Sequence, residues 1–180
     1  QFFFIHMAHY YVVQSRDRNI LKKEINGKRL IDRLKAAFHM PPSNVKTDMV
    51  YATEKLRGVD FGFRDVQTIT GDLSFASILK YRAANELADL LELVQPQEAM
   101  QYRKMAEKIK TYLPGIFSDK RGMLLASTGR SAQADVWATA LAVQFGLLKG
   151  DAALSVSKLF ADAYKAGSLS YKGNIRHILT

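Results

Sequence analysis

Two stretches of the chain concentrate side chains that could do chemistry. The first is Arg57-Gly-Val-Asp60-Phe61-Gly-Phe63-Arg64-Asp65, which sets two aspartates and two arginines among aromatic rings just ahead of an apolar helical run. Carbohydrate chemistry uses this mixture: rings stack on sugar faces, arginine and aspartate bind hydroxyls, and a carboxylic acid protonates the leaving oxygen. The alternative reading of the same residues is structural. Arg64 and Asp65 pair, and Asp65 or Asp72 serves the dipole of the following helix. The second stretch is Leu124-Leu-Ala-Ser-Thr-Gly-Arg130-Ser-Ala-Gln133-Ala-Asp135-Val-Trp137, which carries polar groups to the start of another helix. There Asp135 can cap the helix, and Trp137, the only tryptophan, can simply belong to the core.

Other motifs carry less. Asp60-Phe61-Gly62 matches a protein-kinase tripeptide, but no glycine-rich loop or catalytic His-Arg-Asp accompanies it. His6-x-x-His9 has metal-ligand spacing without a following carboxylate, and its aromatic neighbours favour buried or rim histidines. With no cysteine there is no disulfide scaffold and no thiolate metal site. Neither a metal nor a cofactor is expected.

The net charge is +9, and much of it is local. Arg16 to Lys35 holds eight basic residues against three acids. That stripe reads as the solvated face of an amphipathic helix, or else as a docking face for an acidic partner; no nucleic-acid motif accompanies it. No apolar run reaches the length of a membrane span, and the Phe2–Ile5 run lacks the flanks of a signal peptide. Neither a nucleic-acid nor a membrane partner is expected. The compartment stays open between cytoplasmic and periplasmic or secreted.

The elements that must hold these loops read as helices. Phe2 to Gln14 is apolar almost all round, and a second helix follows with Ile20, Leu21, Ile25, Leu30, Ile31, Leu34 and Phe38 inward, kinked or split at Asn26-Gly27. From Pro41 to Gly71 there is no helical period. A third helix then runs from Leu73 to Val94, and a fourth from Ala99 to a stop at Pro114-Gly115. After a second long loop, Ile116 to Gln133, come a fifth helix from Val136 to Leu147, broken by Gly150, and a sixth from Leu154 to Tyr164. Turns within pairs are short and connections between pairs are long. The expected fold is therefore all-α, one domain over residues 1–180, in three helical hairpins with both long loops on one rim and Asp65 and Asp135 facing a shared concavity.

Four segments carry a resemblance. Arg130-Ser-Ala-Gln-Ala-Asp-Val-Trp-Ala-Thr-Ala-Leu-Ala-Val, Tyr10–Glu24, Phe63-Arg-Asp65 and Tyr171-Lys-Gly-Asn-Ile-Arg-His177 resemble elements of the six-hairpin glycosidases, among them glycogen-debranching-like enzymes and other bacterial glycoside hydrolases. Ala138 departs from the glycine usual in that family. The resemblance implies an (α/α) toroid of which about three of six hairpins are present, so the chain is expected to be a fragment or a short relative. It implies hydrolysis of an oligo- or polysaccharide by carboxylate acid/base catalysis, with Asp65 and then Asp60 as candidate acid. Arg57, Phe61, Phe63, Arg64, Arg130, Gln133, Asp135, Trp137 and His177 would bind sugar or orient water. Two carboxylates are needed, and on that reading this chain holds only one of them. The apolar first helix is then expected to be covered by further hairpins of a longer chain, with a homodimer as the alternative. The competing functional reading is a non-catalytic binding or scaffolding module that uses the basic face.

Overall fold

A computed structural model of the protein describes residues 1–55 and 69–180. Within them the chain is predominantly helical: α1 (Phe2–Ser15), α2 (Leu30–His39), α3 (Ser74–Glu92), α4 (Pro96–Phe117), α5 (Val136–Gln144) and α6 (Gly150–Lys165). Strands are confined to three two-residue ladders, β1/β2 (Glu24–Ile25 with Lys28–Arg29), β3/β4 (Tyr51–Ala52 with Gly71–Asp72) and β5/β6 (Ser170–Tyr171 with Asn174–Ile175).

The helix stripes explain the packing. Ile31, Leu34 and Phe38 recur at helical spacing and bury one face of α2. In α3 buried residues occur all round, from Ser74 to Leu91, because α1, α2, α4 and α5 all pack against it. The core lies in two large clusters and a small third one of Ala52, Ile69 and Leu73. Of the large clusters, one gathers Ile5, Leu21, Leu34, Phe38, Leu87, Leu91 and Tyr102; the other gathers Ile78, Ile109, Phe117, Leu124, Ala142 and Val156.

Side-chain partners fix the helix directions. His6 meets Glu86 and His9 meets Asp89, both at a separation of 80 residues, so α1 and α3 run parallel. Lys35 meets Glu98 and His39 meets Tyr102, both at 63, so α2 and α4 run parallel too. Phe2 packs edge-on against Phe38, and Arg103 reaches Asn85 and Asp89. Hence α1 is antiparallel to α2 and α3 to α4. Side chains of α1 thus meet α3, and side chains of α2 meet α4.

Three expectations need correction. The basic stripe is not one kinked helix. A single tight turn (Asn19–Lys22) leads into the β1/β2 hairpin, and only then does α2 begin. Asn26 and Gly27 both take positive φ, 49° and 71°, as the mirror-image turn of a two-residue hairpin requires. Of the two alternatives at Asn26-Gly27, kinked or split, the chain takes the split, and its cause is a hairpin. The fourth helix does not stop at Pro114. Its missing N–H costs one bond, but continuing buries Phe117 one turn beyond Leu113, both at 0% exposure. Gly150 does not break a helix either; it opens α6.

Candidate functional site

The N-termini of α3 and α5 share one rim, and the two long loops are laced together there. β4 pairs with β3 on one side. On its other side, Ser74 N donates to Ala126 O (3.1 Å), Thr128 N to Asp72 O (3.0 Å) and Gly129 N to Thr70 O (3.0 Å). Asp72 N donates to Thr128 Oγ1 at 2.9 Å and Arg130 N to Thr70 Oγ1 at 3.0 Å. Such close backbone approach leaves no room for side chains at Gly71 and Gly129, where an added Cβ would lie 2.5 Å from Thr128 Oγ1 and Thr70 O respectively.

This lacing frames a groove of about 580 Å³, lined by Asn44, Tyr51–Glu54, Thr70–Asp72 and Thr128. Its chemistry is two carboxylates, one amide, one phenol and several hydroxyls. Asp72 is the better defined acid. Partial burial pushes its carboxyl above the ordinary aspartate value, against a smaller opposing pull from the Asn44 amide, which donates to both oxygens at 3.3 and 3.4 Å. Glu54 stands at the exposed edge, 3.2 Å from Arg130. That pair is about two-thirds exposed on both sides and so contributes little to stability. The wall behind Asn44 is held by Lys80, only 4% exposed, whose ammonium donates to Ser43 Oγ (2.8 Å) and Asp48 O (3.0 Å).

Of the residues anticipated from sequence, Arg57, Asp60, Phe61, Phe63, Arg64 and Asp65 lie outside the described residues. Arg130 is on the rim. Gln133 contributes its backbone carbonyl to Ala126 N (2.8 Å) in the loop behind the rim. Asp135 does not face the concavity. It is 1% exposed and caps α5, accepting from the backbone N–H groups of Trp137 and Ala138, both at 2.9 Å. Replacing Asp135 with alanine is expected to cost about 1–2 kcal/mol in chemical denaturation, with Asp135→Asn recovering most of it; an unchanged midpoint for the alanine variant would show that the cap is idle. Trp137 and His177 come together, but against each other: their rings stack at 3.9 Å, and His177 O accepts from Val136 N at 2.9 Å. They tie the C-terminal segment to the start of α5 and do not line the groove.

Asp72, Glu54 and Asn44 escaped the sequence reading. Asp72 was legible only as a helix-dipole residue, and Asn44 only as part of a stretch without helical period. What joins them is the pairing of distant loops, which no local spacing encodes. Among the described residues no group of histidines and carboxylates has the makings of a metal site, and no helix is long and apolar enough to cross a membrane. No family model matches the chain, and no curated protein matches it.

Proposed function

We propose that the rim groove is a carbohydrate site, and that the chain is a run of hairpins from an (α/α) toroid acting as a glycoside hydrolase. The observation that carries the substrate class is the groove itself. Asp72, Glu54, Asn44, Thr70 and Thr128 offer hydrogen-bond donors and acceptors at the scale of sugar hydroxyls, and Tyr51 offers a ring beside them. What supports the toroid is the register of the first four helices: α1 and α3 parallel at one offset, α2 and α4 parallel at another, antiparallel within each of the two pairs. Both edge hairpins also leave large apolar side chains exposed, among them Met7 and Tyr10 at one edge and Leu154 and Tyr164 at the other.

Asp72 is the proton donor of this reading among the described residues. A general acid must hold its proton at working pH, and burial favours the neutral carboxyl. Because the shift is upward, hydrolysis is expected to fall on the alkaline side, at a pH above the ordinary aspartate value. Asp72→Asn should lower turnover of α- and β-linked oligosaccharides at least a hundredfold while leaving binding within a few-fold. Glycan-array or calorimetric titration finding no oligosaccharide bound at millimolar concentration would remove the reading altogether. Full turnover by Asp72→Asn would move the acid elsewhere.

A further inference from the structure

Two lysines hold the loop that follows α2. Lys80 of α3, 4% exposed, donates to Ser43 Oγ and Asp48 O, and Lys108 of α4 donates to Val45 O at 2.9 Å. The carboxylate of Asp48 lies 3.0 Å from Lys108 and 3.8 Å from Lys80. Burying a lysine is costly unless its ammonium is satisfied, and here the acceptors come from one short loop. Inside that loop Asn44 has little freedom. Its N–H donates to Met49 O (2.7 Å), its carbonyl accepts from Asp48 N (2.8 Å), and its Oδ1 accepts from Lys46 N (3.0 Å). What remains is the amide NH2, which reaches both carboxyl oxygens of Asp72 at 3.3 and 3.4 Å. Turning the amide over would set its NH2 against the Lys46 N–H and its oxygen against a carboxylate, so one orientation survives.

We infer that Asn44 is a positioning residue of the rim groove: its amide holds the carboxyl of Asp72 and stabilises the carboxylate left once the proton has gone. This role rests on the reading of Asp72 as proton donor. In that step the glycosidic C–O bond breaks, the leaving oxygen keeps the electron pair and takes the proton, and Asp72 becomes an anion. A donor already aimed at it needs no reorganisation as the charge develops. Burial favours the neutral acid and the amide favours the anion, so Asn44 sets how readily a partly buried acid lets its proton go. Among the described residues, the other titratable groups around Asp72 are Glu54, paired with Arg130, and the Tyr51 phenol in the groove, with Lys80, Lys108 and Asp48 behind the loop.

The test is a carbon-detected NMR titration of the Asp72 carboxyl in the intact chain, assigned with Asp72→Asn. Asn44→Asp keeps an oxygen for the Lys46 N–H, and so keeps the turn, but sets an acceptor against Asp72 where a donor stood. The upper apparent midpoint of that pair should lie above the wild-type midpoint of Asp72. Asn44→Ser also keeps an acceptor for the turn, ends one bond short of the amide nitrogen, and should raise the midpoint by less. Val45→Asp, at a position 89% exposed, adds the same charge one residue away and should leave the midpoint where it is. In hydrolysis, Asn44→Asp should lower kcat about tenfold with KM within a few-fold, and the alkaline limb of the rate should move to higher pH together with the NMR midpoint. The inference is overturned by a midpoint that stays put in both Asn44 variants, by Val45→Asp moving it as far as Asn44→Asp, or by a rise in KM alone with the limb unmoved, which would make Asn44 a sugar contact only. Midpoints that move as stated in a chain that binds no oligosaccharide would remove the carbohydrate reading and leave the hold of Asn44 on Asp72 standing.

Discussion

Gly71→Ala should lower the midpoint of thermal unfolding by roughly 6–12 °C, corresponding to about 3 kcal/mol in a chain of this size. Two costs add at this position. Its φ is +86°, a conformation that disfavours any Cβ, and the Cβ would meet Thr128 Oγ1 at 2.5 Å and Gly129 N at 2.8 Å. Thr128 cannot yield cheaply, because its hydroxyl accepts from Asp72 N and its own N–H donates to Asp72 O. The control is Gly27→Ala in the β1/β2 turn, also at positive φ (71°) but with nothing within 4 Å. It should cost about 1–2 kcal/mol from backbone strain alone. Equal melting shifts for the two variants would mean that the lacing of the loops is not as tight as these distances require.

The second large effect concerns α1. Phe3, Phe4, Met7, Tyr10, Tyr11 and Val13 are between 42% and 69% exposed, and the helix carries no Asp, Glu, Lys or Arg. Its two histidines turn toward α3, where Glu86 and Asp89 take them. A contiguous apolar face of this kind, on the 180-residue chain, should raise the fluorescence of an exposed-hydrophobe dye several-fold and drive association at tens of micromolar. Met7→Lys with Tyr10→Lys should suppress both while leaving helix content and melting almost unchanged, since neither side chain is in the core. A wild-type chain that stays monomeric and binds no dye would contradict the toroid reading, which requires this face to be an internal surface of a larger array.

How much of this could be read from residues alone varied with the range of the interactions. The helices α3, α5 and α6 are legible because their stripes are local: Ile78, Leu87 and Leu91, or Val156 and Ala163, repeat within a few turns. The short turn at Gln95-Pro96 is equally local, since proline fits the first helical position. Errors came where two local signals compete. Asn26-Gly27 is compatible with a helix break or a hairpin, and only the pairing of Ile25 with Lys28 decides. Pro114 is a strong stop signal, outweighed by the burial of Phe117. The candidate site was least legible. Asp135 has the type and position of a ligand residue, yet its backbone neighbours consume it. Asp72 looks like an ordinary helix-start acid, yet the meeting of residues 44, 72 and 128 across the rim places it in a groove.

The constant separations of 80 and 63 residues between partnered side chains bear on how such a chain can change over generations. Each offset is the sum of helices plus the loop between them, so adding residues to a rim loop alters the arithmetic but none of the partners: His6 would still find Glu86, and Lys35 would still find Glu98. Insertions and deletions there are insulated from the scaffold, while a single-residue slip inside α3 would misalign its contacts with α1 and α4 at once. Natural variation in loop length should therefore be free to reshape the groove, and so its selectivity, at little cost to folding.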